Sequence, residues 1–415
     1  MGADDGNAPG PNLEEVVPEA DNARIEGLVG LVSADSLESY VRRMVGFHTR
    51  HTNSDTLSGS QGIGAARRWV FDKFKRISDA NGGRLRVSYH TFDATIVGVS
   101  GLHRNVVAEL PGSTTPERKF VVSGHLDSRN RDVRDATNFA PGANDDGSGV
   151  AAVIELARVL SQFDFESTLI FVAVTGEEEG LFGSRALAQD LRRDGVNVVG
   201  MVTNDVVGNV VGGSGNVDST RVRCFSEGPE DSANRQLARF IQLQGNAYVQ
   251  EVTVDLIPAR DRPGRGGDHF SFNGEGYTAA RLTEPEDNMN HQHNMEDLPE
   301  FMSFRYLATV TKINAAYLAS WADAPPSPTN VQVAEQNAGE LRVSWQAPAA
   351  TDVANYLLAV RSPGEIAIAR FFSAGEEQAV TLQKPQGFDS GLFLSVAAVD
   401  KDGNESVFSD EVRVE

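Results

Sequence analysis

The chain has 415 residues, 40% of them hydrophobic and 23% charged, and its formal net charge is −21. These proportions suit a globular chain with enough apolar material for a sizeable core, in two domains or in one large and one small. The negative balance argues against nucleic acid or an anionic membrane as partner, and no apolar run approaches the roughly 18 residues of a membrane span.

In chain order, residues 1–33 open with MGADDGNAPGPNLEEVVPEAD, whose glycine, proline and acid content reads as a flexible extension without an apolar signal core. SADSLESYVRRMVGF has a serine cap and helical apolar spacing, and IGAARRWVFDKFKRISDANGG is a second amphipathic helix closed by Gly82 and Gly83. Strands and helices then alternate. NVVAEL, KFVVSG, TLIFVAV, VVGMVTND and YTAARLTE read as strands; GVAAVIELARVLSQF, GSRALAQDLRRDG, DSANRQLARFIQLQG and a long closing segment ending in ASWA read as helices. The alternation predicts an α/β fold over residues 34–322: three layers, with a mostly parallel, mixed sheet covered by helices on both faces. Strands buried on both sides account for the unbroken apolar runs. A proline-rich linker covers 323–328. Residues 329–415 carry short β-rich stretches with turn signals between them, which predicts a C-terminal β-sandwich. Trp345 on an early strand and AAVDKDGNES near the end resemble a fibronectin type III module, although Leu394 stands where that family often has a tyrosine. The sole cysteine, Cys224, excludes an internal disulfide.

Ligands of open α/β sheets bind beyond the carboxyl ends of the strands. There the sequence places His125 and Asp127, then Glu177, Glu178 and Glu179, then Asp205, then Glu284 with the loop TEPEDNMNHQHNMED; PGANDDGSG adds Asp145 at a helix start. Singly, each has an ordinary explanation. His125 and Asp127 share a strand face and would serve as a surface pair. ANDDGSG is a turn and helix cap, GGDHFSF with Asp268 and His269 is a helix cap, and His291 and His293 are loop histidines. Three adjacent glutamates exceed what a helix dipole favours at its start. If the five stretches converge, their acids repel strongly unless cations lie among them, and histidine with carboxylate is a normal ligand set for zinc and its neighbours.

GHLDS, APGANDDGSGVAAVIELARVL, TGEEEGLFGS, a strand-end ND and a histidine followed four residues later by aspartate resemble, in order and spacing, the di-zinc aminopeptidases of metallopeptidase family twenty-eight. The resemblance covers roughly residues 35–322, and secreted bacterial leucyl aminopeptidases are the family's familiar members. It implies two Zn2+ ions bridged by Asp145, one also held by His125 and Asp205, the other by Glu178 and His293. It implies that Asp127 holds His125 in its tautomer, that the Asp145–Asp146 peptide is cis, and that Glu177 is general base toward a water shared by the ions. His293 fits the family spacing to Asp297 and Glu300; His291 does not. Asn144, where some relatives carry aspartate, is expected to matter little, and Glu179 to lie outside the machinery. Arg262 and Arg265 either line the substrate entrance or stabilise their loop.

The implied activity is release of N-terminal residues from peptides. The alternatives are glutaminyl cyclisation, carboxypeptidase action on acidic dipeptides, or a non-catalytic binding protein on the same scaffold. Peptides are the expected partners, without nucleic acid or membrane insertion. The C-terminal module is expected to contact a surface or another protein, to act as a spacer, or to cap the catalytic domain. Such modules are more common outside cells, so a secreted or periplasmic location is expected ahead of a cytoplasmic one, with the signal segment not in this sequence.

Overall fold

The computed structural model describes residues 13–18, 22–337, 339–350 and 352–415. Much of the expected extension, residues 1–12 and 19–21, lies outside the described residues. The rest of it is not featureless: it contains β1 (Glu14–Val16) and α1 (Ala23–Val29). By its contacts the chain forms two compact units. Of the described residues, one comprises those of Ala23–Gly228 and Ile241–Asp323, the other those of Met1–Asn22, Pro229–Phe240 and Ala324–Glu415.

After α1 come α2 (Ala34–Val45), α3 (Gly62–Ala80), β2 (Arg86–Ile96), β3 (Val99–Leu110), β4 (Thr115–His125), α4 (Gly147–Leu160), β5 (Ser167–Val174) and α5 (Phe182–Arg193). Then follow β6 (Val198–Asn204), β7 (Arg221–Phe225), α6 (Ala233–Tyr248), β8 (Thr253–Ile257), α7 (His269–Gly274), β9 (Ala279–Thr283) and α8 (Phe304–Asp323). Local chemistry sets the boundaries. Ser33 caps α2 by accepting the Ser36 N–H at 3.2 Å. Beyond α3, Gly82 and Gly83 take φ of +71° and +79°, and the Gly83 N–H returns to the Ser78 carbonyl.

Eight strands form one sheet in the order β2-β3-β5-β4-β6-β9-β7-β8. The central pairs β5–β4, β4–β6 and β6–β9 are parallel, as is β7–β8; β2–β3, β3–β5 and β7–β9 are antiparallel. The chain winds to one side of β4 to make β5 and to the other to make β6, so a crevice opens at the carboxyl end of β4. Alternate residues of the central strands face opposite helices. Phe120 packs on Trp321 of α8, with ring centroids 4.4 Å apart. Val121, Ile170, Val172 and Val174 share a buried cluster with Leu187 of α5 and Phe272 of α7. Two glycines let α4 begin against the strand ends. A Cβ on Gly124 would lie 2.5 Å from the Gly149 carbonyl carbon, and one on Gly149 only 2.0 Å from the Asn204 oxygen. Among the described residues no helix is long and apolar enough to cross a membrane.

The second unit adds β10 (Thr329–Asn337), β11 (Glu340–Gln346), β12 (Val353–Arg361), β13 (Arg370–Ser373), β14 (Ala379–Gln383), β15 (Leu392–Asp400) and β16 (Val412–Val414). They form two antiparallel sheets, β10-β11-β14 and β1-β13-β12-β15-β16. Leu341, Val343 and Trp345 of the first share a buried core with Tyr356, Leu358, Leu394 and Val396 of the second. The unit is therefore not the contiguous stretch 329–415. It takes an edge strand from the beginning of the chain, with Glu14 opposite Ser373, and residues 229–240 from the middle. Within it, buried Arg361 donates to Glu411 at 2.8 Å, and Arg239 reaches the same carboxylate at 3.2 Å.

Candidate metal centre

The middle strands of the large sheet bring the expected residues together. His125 closes β4, Asp145 lies on the loop entering α4, Glu177 and Glu178 follow β5, Asp205 follows β6, and His293 sits on the loop after β9. The Asp145 carboxylate divides between two groups. Its Oδ1 is 3.1 Å from His125 Nε2, which lies 3.7 Å from Asp205 Oδ1. Its Oδ2 is 2.9 Å from His293 Nε2, which lies 3.2 Å from Glu178 Oε2. In each group one potential ligand atom from each residue lies within 4.8 Å of the others. Glu177 Oε2 stands 4.0 Å from His125 Nε2. His291 is elsewhere, its ring 4.0 Å from that of Phe301 and its Nδ1 beside the Glu296 carbonyl. The Asp145–Asp146 peptide is cis.

Three further buried carboxylates hold these side chains through the backbone. Asp127 accepts the N–H groups of Gly176, Glu177 and Glu178 at 2.8, 3.3 and 3.0 Å. This corrects the role expected of it. Its carboxylate is 3.9 Å from His125 Nδ1, and the group that meets this nitrogen is the Asp127 backbone carbonyl at 3.1 Å. The tight turn after β5 leaves three N–H groups in need of acceptors, and a two-oxygen acceptor serves them all. Asp146 accepts from His125, Gly149 and Val206 N–H at 2.8, 2.9 and 3.2 Å, so it caps α4 and ties β4 to the end of β6. Asp297 accepts from Asn144 and Asp145 N–H at 2.8 and 2.9 Å. The His293–Asp297 spacing thus has a local meaning: one loop supplies both an imidazole and the clamp on Asp145. Burial, with Asp145 adding, pushes the Asp297 carboxyl up to about 7. Beneath these loops, fully buried Arg50 donates to the carbonyls of Leu126, Pro141 and Gly142 at 2.7, 2.6 and 2.8 Å.

Several contacts escaped sequence reasoning. Arg281 of β9 is buried between Asp205 at 3.1 Å and Asp261 at 2.8 Å. Its signal was a charge inside an apolar strand, which has to find a partner. Arg129 donates to Glu178 Oε2 at 2.7 Å and meets His293 Nδ1 at 2.8 Å. Arg262 is engaged by Asp261 and Asp287 at 2.9 and 2.6 Å, and Arg265 by Gln292 at 3.2 Å, contacts that hold their loop. Asn144 does matter. Its amide donates to buried Glu284 at 2.8 Å, and its oxygen accepts the Gly208 N–H at 2.8 Å. The cap expected of Asp268 is not made: its buried side chain accepts no N–H of α7. Glu179 accepts from Thr52 at 2.7 Å, and burial pushes its carboxyl up to about 9. Burial also raises the Glu177 carboxyl well above its usual range; Asp205, Glu178 and Asp268 push the same way and His125 opposes them.

Two imidazoles and three carboxylates form a nitrogen and oxygen donor set suited to divalent cations of the zinc type. Glu178 Oε1 is buried and receives no hydrogen bond from the protein. The profile of peptidase family M28 matches residues 105–318. A "probable zinc metalloprotease" of Leptosphaeria maculans is 37% identical over 409 residues, covering 91% of this chain and 94% of that one. Another, of Pyricularia oryzae, is 39% identical over 358 residues, covering 78% and 70%. The chain belongs to peptidase family M28. Among solved structures, the Legionella pneumophila LapA aminopeptidase shares the fold at TM-score 0.58 and 20% identity, over 74% of this chain and 77% of that one. A glutaminyl cyclase of Porphyromonas gingivalis does so at TM-score 0.55 and 20% identity, over 69% and 98%.

Proposed function

We propose that the protein is a di-zinc aminopeptidase that hydrolyses the N-terminal peptide bond of peptides. One observation carries this reading: the two oxygens of Asp145 face two different groups, each with its own histidine and its own second carboxylate. His125, Asp145 and Asp205 would hold one ion, and Asp145, Glu178 and His293 the other. Zinc bound there supplies Lewis acidity toward the scissile carbonyl and lowers the pKa of the attacking water.

The chain's own residues do the rest. Glu177 takes the water proton on its carboxylate and returns it to the departing amine; its Oε2 stands 4.0 Å from His125 Nε2, beside the ligand groups. Asp127 fixes the turn that presents Glu177 and Glu178 side by side in different directions. Arg281 steadies Asp205.

A glutaminyl cyclase shares the fold, and cyclisation needs one zinc and no hydrolytic water. The presence of both groups favours hydrolysis. A panel of aminoacyl-nitroanilides and an N-terminal glutaminyl peptide, each assayed with and without chelator, separates the two reactions. We expect chelation to abolish release of amino acids. Glu177→Ala should lower turnover roughly 100- to 10,000-fold while two zinc ions per chain are retained. Turnover that survives either treatment would sink the reading. We further read the C-terminal unit as a fibronectin type III-like sandwich that contacts a surface or another protein, and the enzyme as secreted or periplasmic. Fractionation of expressing cells tests the location.

A further inference from the structure

Arg129 belongs to neither ligand group, yet it touches one of them twice. Nε donates to Glu178 Oε2 at 2.7 Å, Nη2 meets His293 Nδ1 at 2.8 Å, and Nη1 reaches the adjacent Asn130 carbonyl at 3.2 Å. A guanidinium has only donors. His293 Nδ1 must therefore accept, which puts the imidazole proton on Nε2, facing Asp145 Oδ2 at 2.9 Å and Glu178 Oε2 at 3.2 Å. Both ring nitrogens of His293 then face protein partners of the matching kind. A histidine that ligates through Nε2 has the opposite tautomer, with its proton on Nδ1. Two N–H groups would then oppose each other across the Arg129–His293 contact.

We propose that Arg129 is a resident counter-cation of the Asp145–Glu178–His293 group, and that a divalent ion enters this group by displacing the guanidinium from His293. The inference rests on the di-zinc reading above. Whatever Arg129 contributes to the ion-free form is, by linkage, taken from the affinity of that ion. Arg281 cannot act this way at Asp205, because it is fully buried and pinned at its other side by Asp261 at 2.8 Å. The Arg129 side chain is 20% exposed, and the tie it keeps away from the group is to the next residue's carbonyl, so it can turn outward. The two groups therefore differ in kind: one has a fixed cation beside it, the other a removable one.

Zinc titrated calorimetrically into metal-free wild type, Arg129→Gln and Arg129→Met tests this. Two ions should bind each protein, and in both variants one dissociation constant should tighten about tenfold while the other does not move. Histidine-selective 15N labelling gives a readout independent of turnover, with His293→Ala identifying the signal. In wild type, His293 Nδ1 should be the bare nitrogen without zinc and the protonated one with it. If two ions bind and neither constant tightens in either variant, or if Nδ1 keeps one state throughout, the role of Arg129 is overturned. If wild type takes up fewer than two ions, the di-zinc reading itself falls.

Discussion

Asn144 sits between the Gly208 N–H and the buried Glu284 carboxylate, which also accepts the Asn209 N–H at 3.0 Å. Burial already lifts the Glu284 carboxyl well above its usual range, and the Asn144 and Asn209 donors pull it back. Asn144→Asp would turn a donor into a second acid at hydrogen-bond distance. We expect a loss of about 1–3 kcal/mol in urea unfolding at neutral pH. The loss should shrink in acid, where one carboxyl of the pair is protonated, and disappear in the Asn144→Asp, Glu284→Gln double variant. Individual residues were unevenly legible in the sequence. Strand-end topology points to His125, the glutamates after β5 and Asp205, whereas the full ligand set, Glu177 as base and His293 rather than His291 followed from the family resemblance. Asp146 and Asp297 could be read only as a cap and a spacing, because what they bind is backbone. Arg129 was hidden because its partner His293 lies 164 residues away.

Among the elements, α4 carries the closest tolerance. Its first turn touches Asn204 at the end of β6, and Asp146 joins the turn to His125 and Val206. Gly149→Ala would put a Cβ 2.0 Å from the Asn204 oxygen and 2.4 Å from Asp146 Oδ2. Overpacking of this kind costs about 1–3 kcal/mol. Because the same contact holds both His125 and the turn bearing Asp205, we expect the variant to lose zinc affinity as well as its denaturant midpoint; an unchanged zinc titration would refute the link. The central strands were legible because burial on both faces leaves unbroken apolar runs such as TLIFVAV. β2, β7 and β8 were not: exposed residues recur along β2, β7 and β8 are only five residues long, and none has such a run. The turn after β5 was legible as an accumulation of acid. That one remote carboxylate, Asp127, fastens it was not, since only the folded chain brings 127 to 176–178.

For the whole molecule, the sequence shows a change of periodicity after residue 322, but the make-up of the two units was not legible, because pairing between distant segments leaves no local mark. Glu411 shows what such pairing involves. It is buried between Arg361 and Arg239, which come from two different segments of one unit. Glu411→Ala leaves two buried guanidinium groups without their shared acid and should cost about 3–5 kcal/mol in denaturant unfolding, with zinc content of the folded protein unaltered. The edge strand β1 carries a consequence for biosynthesis. Glu14 leaves the ribosome long before its partner Ser373. During translation the rim of the sheet that it will cover does not yet exist, and once β13 emerges that rim is open to any extended chain until β1 arrives. We therefore expect nascent chains stalled shortly after β13 to pair with one another more readily than chains stalled before it, which sedimentation of the stalled complexes would show.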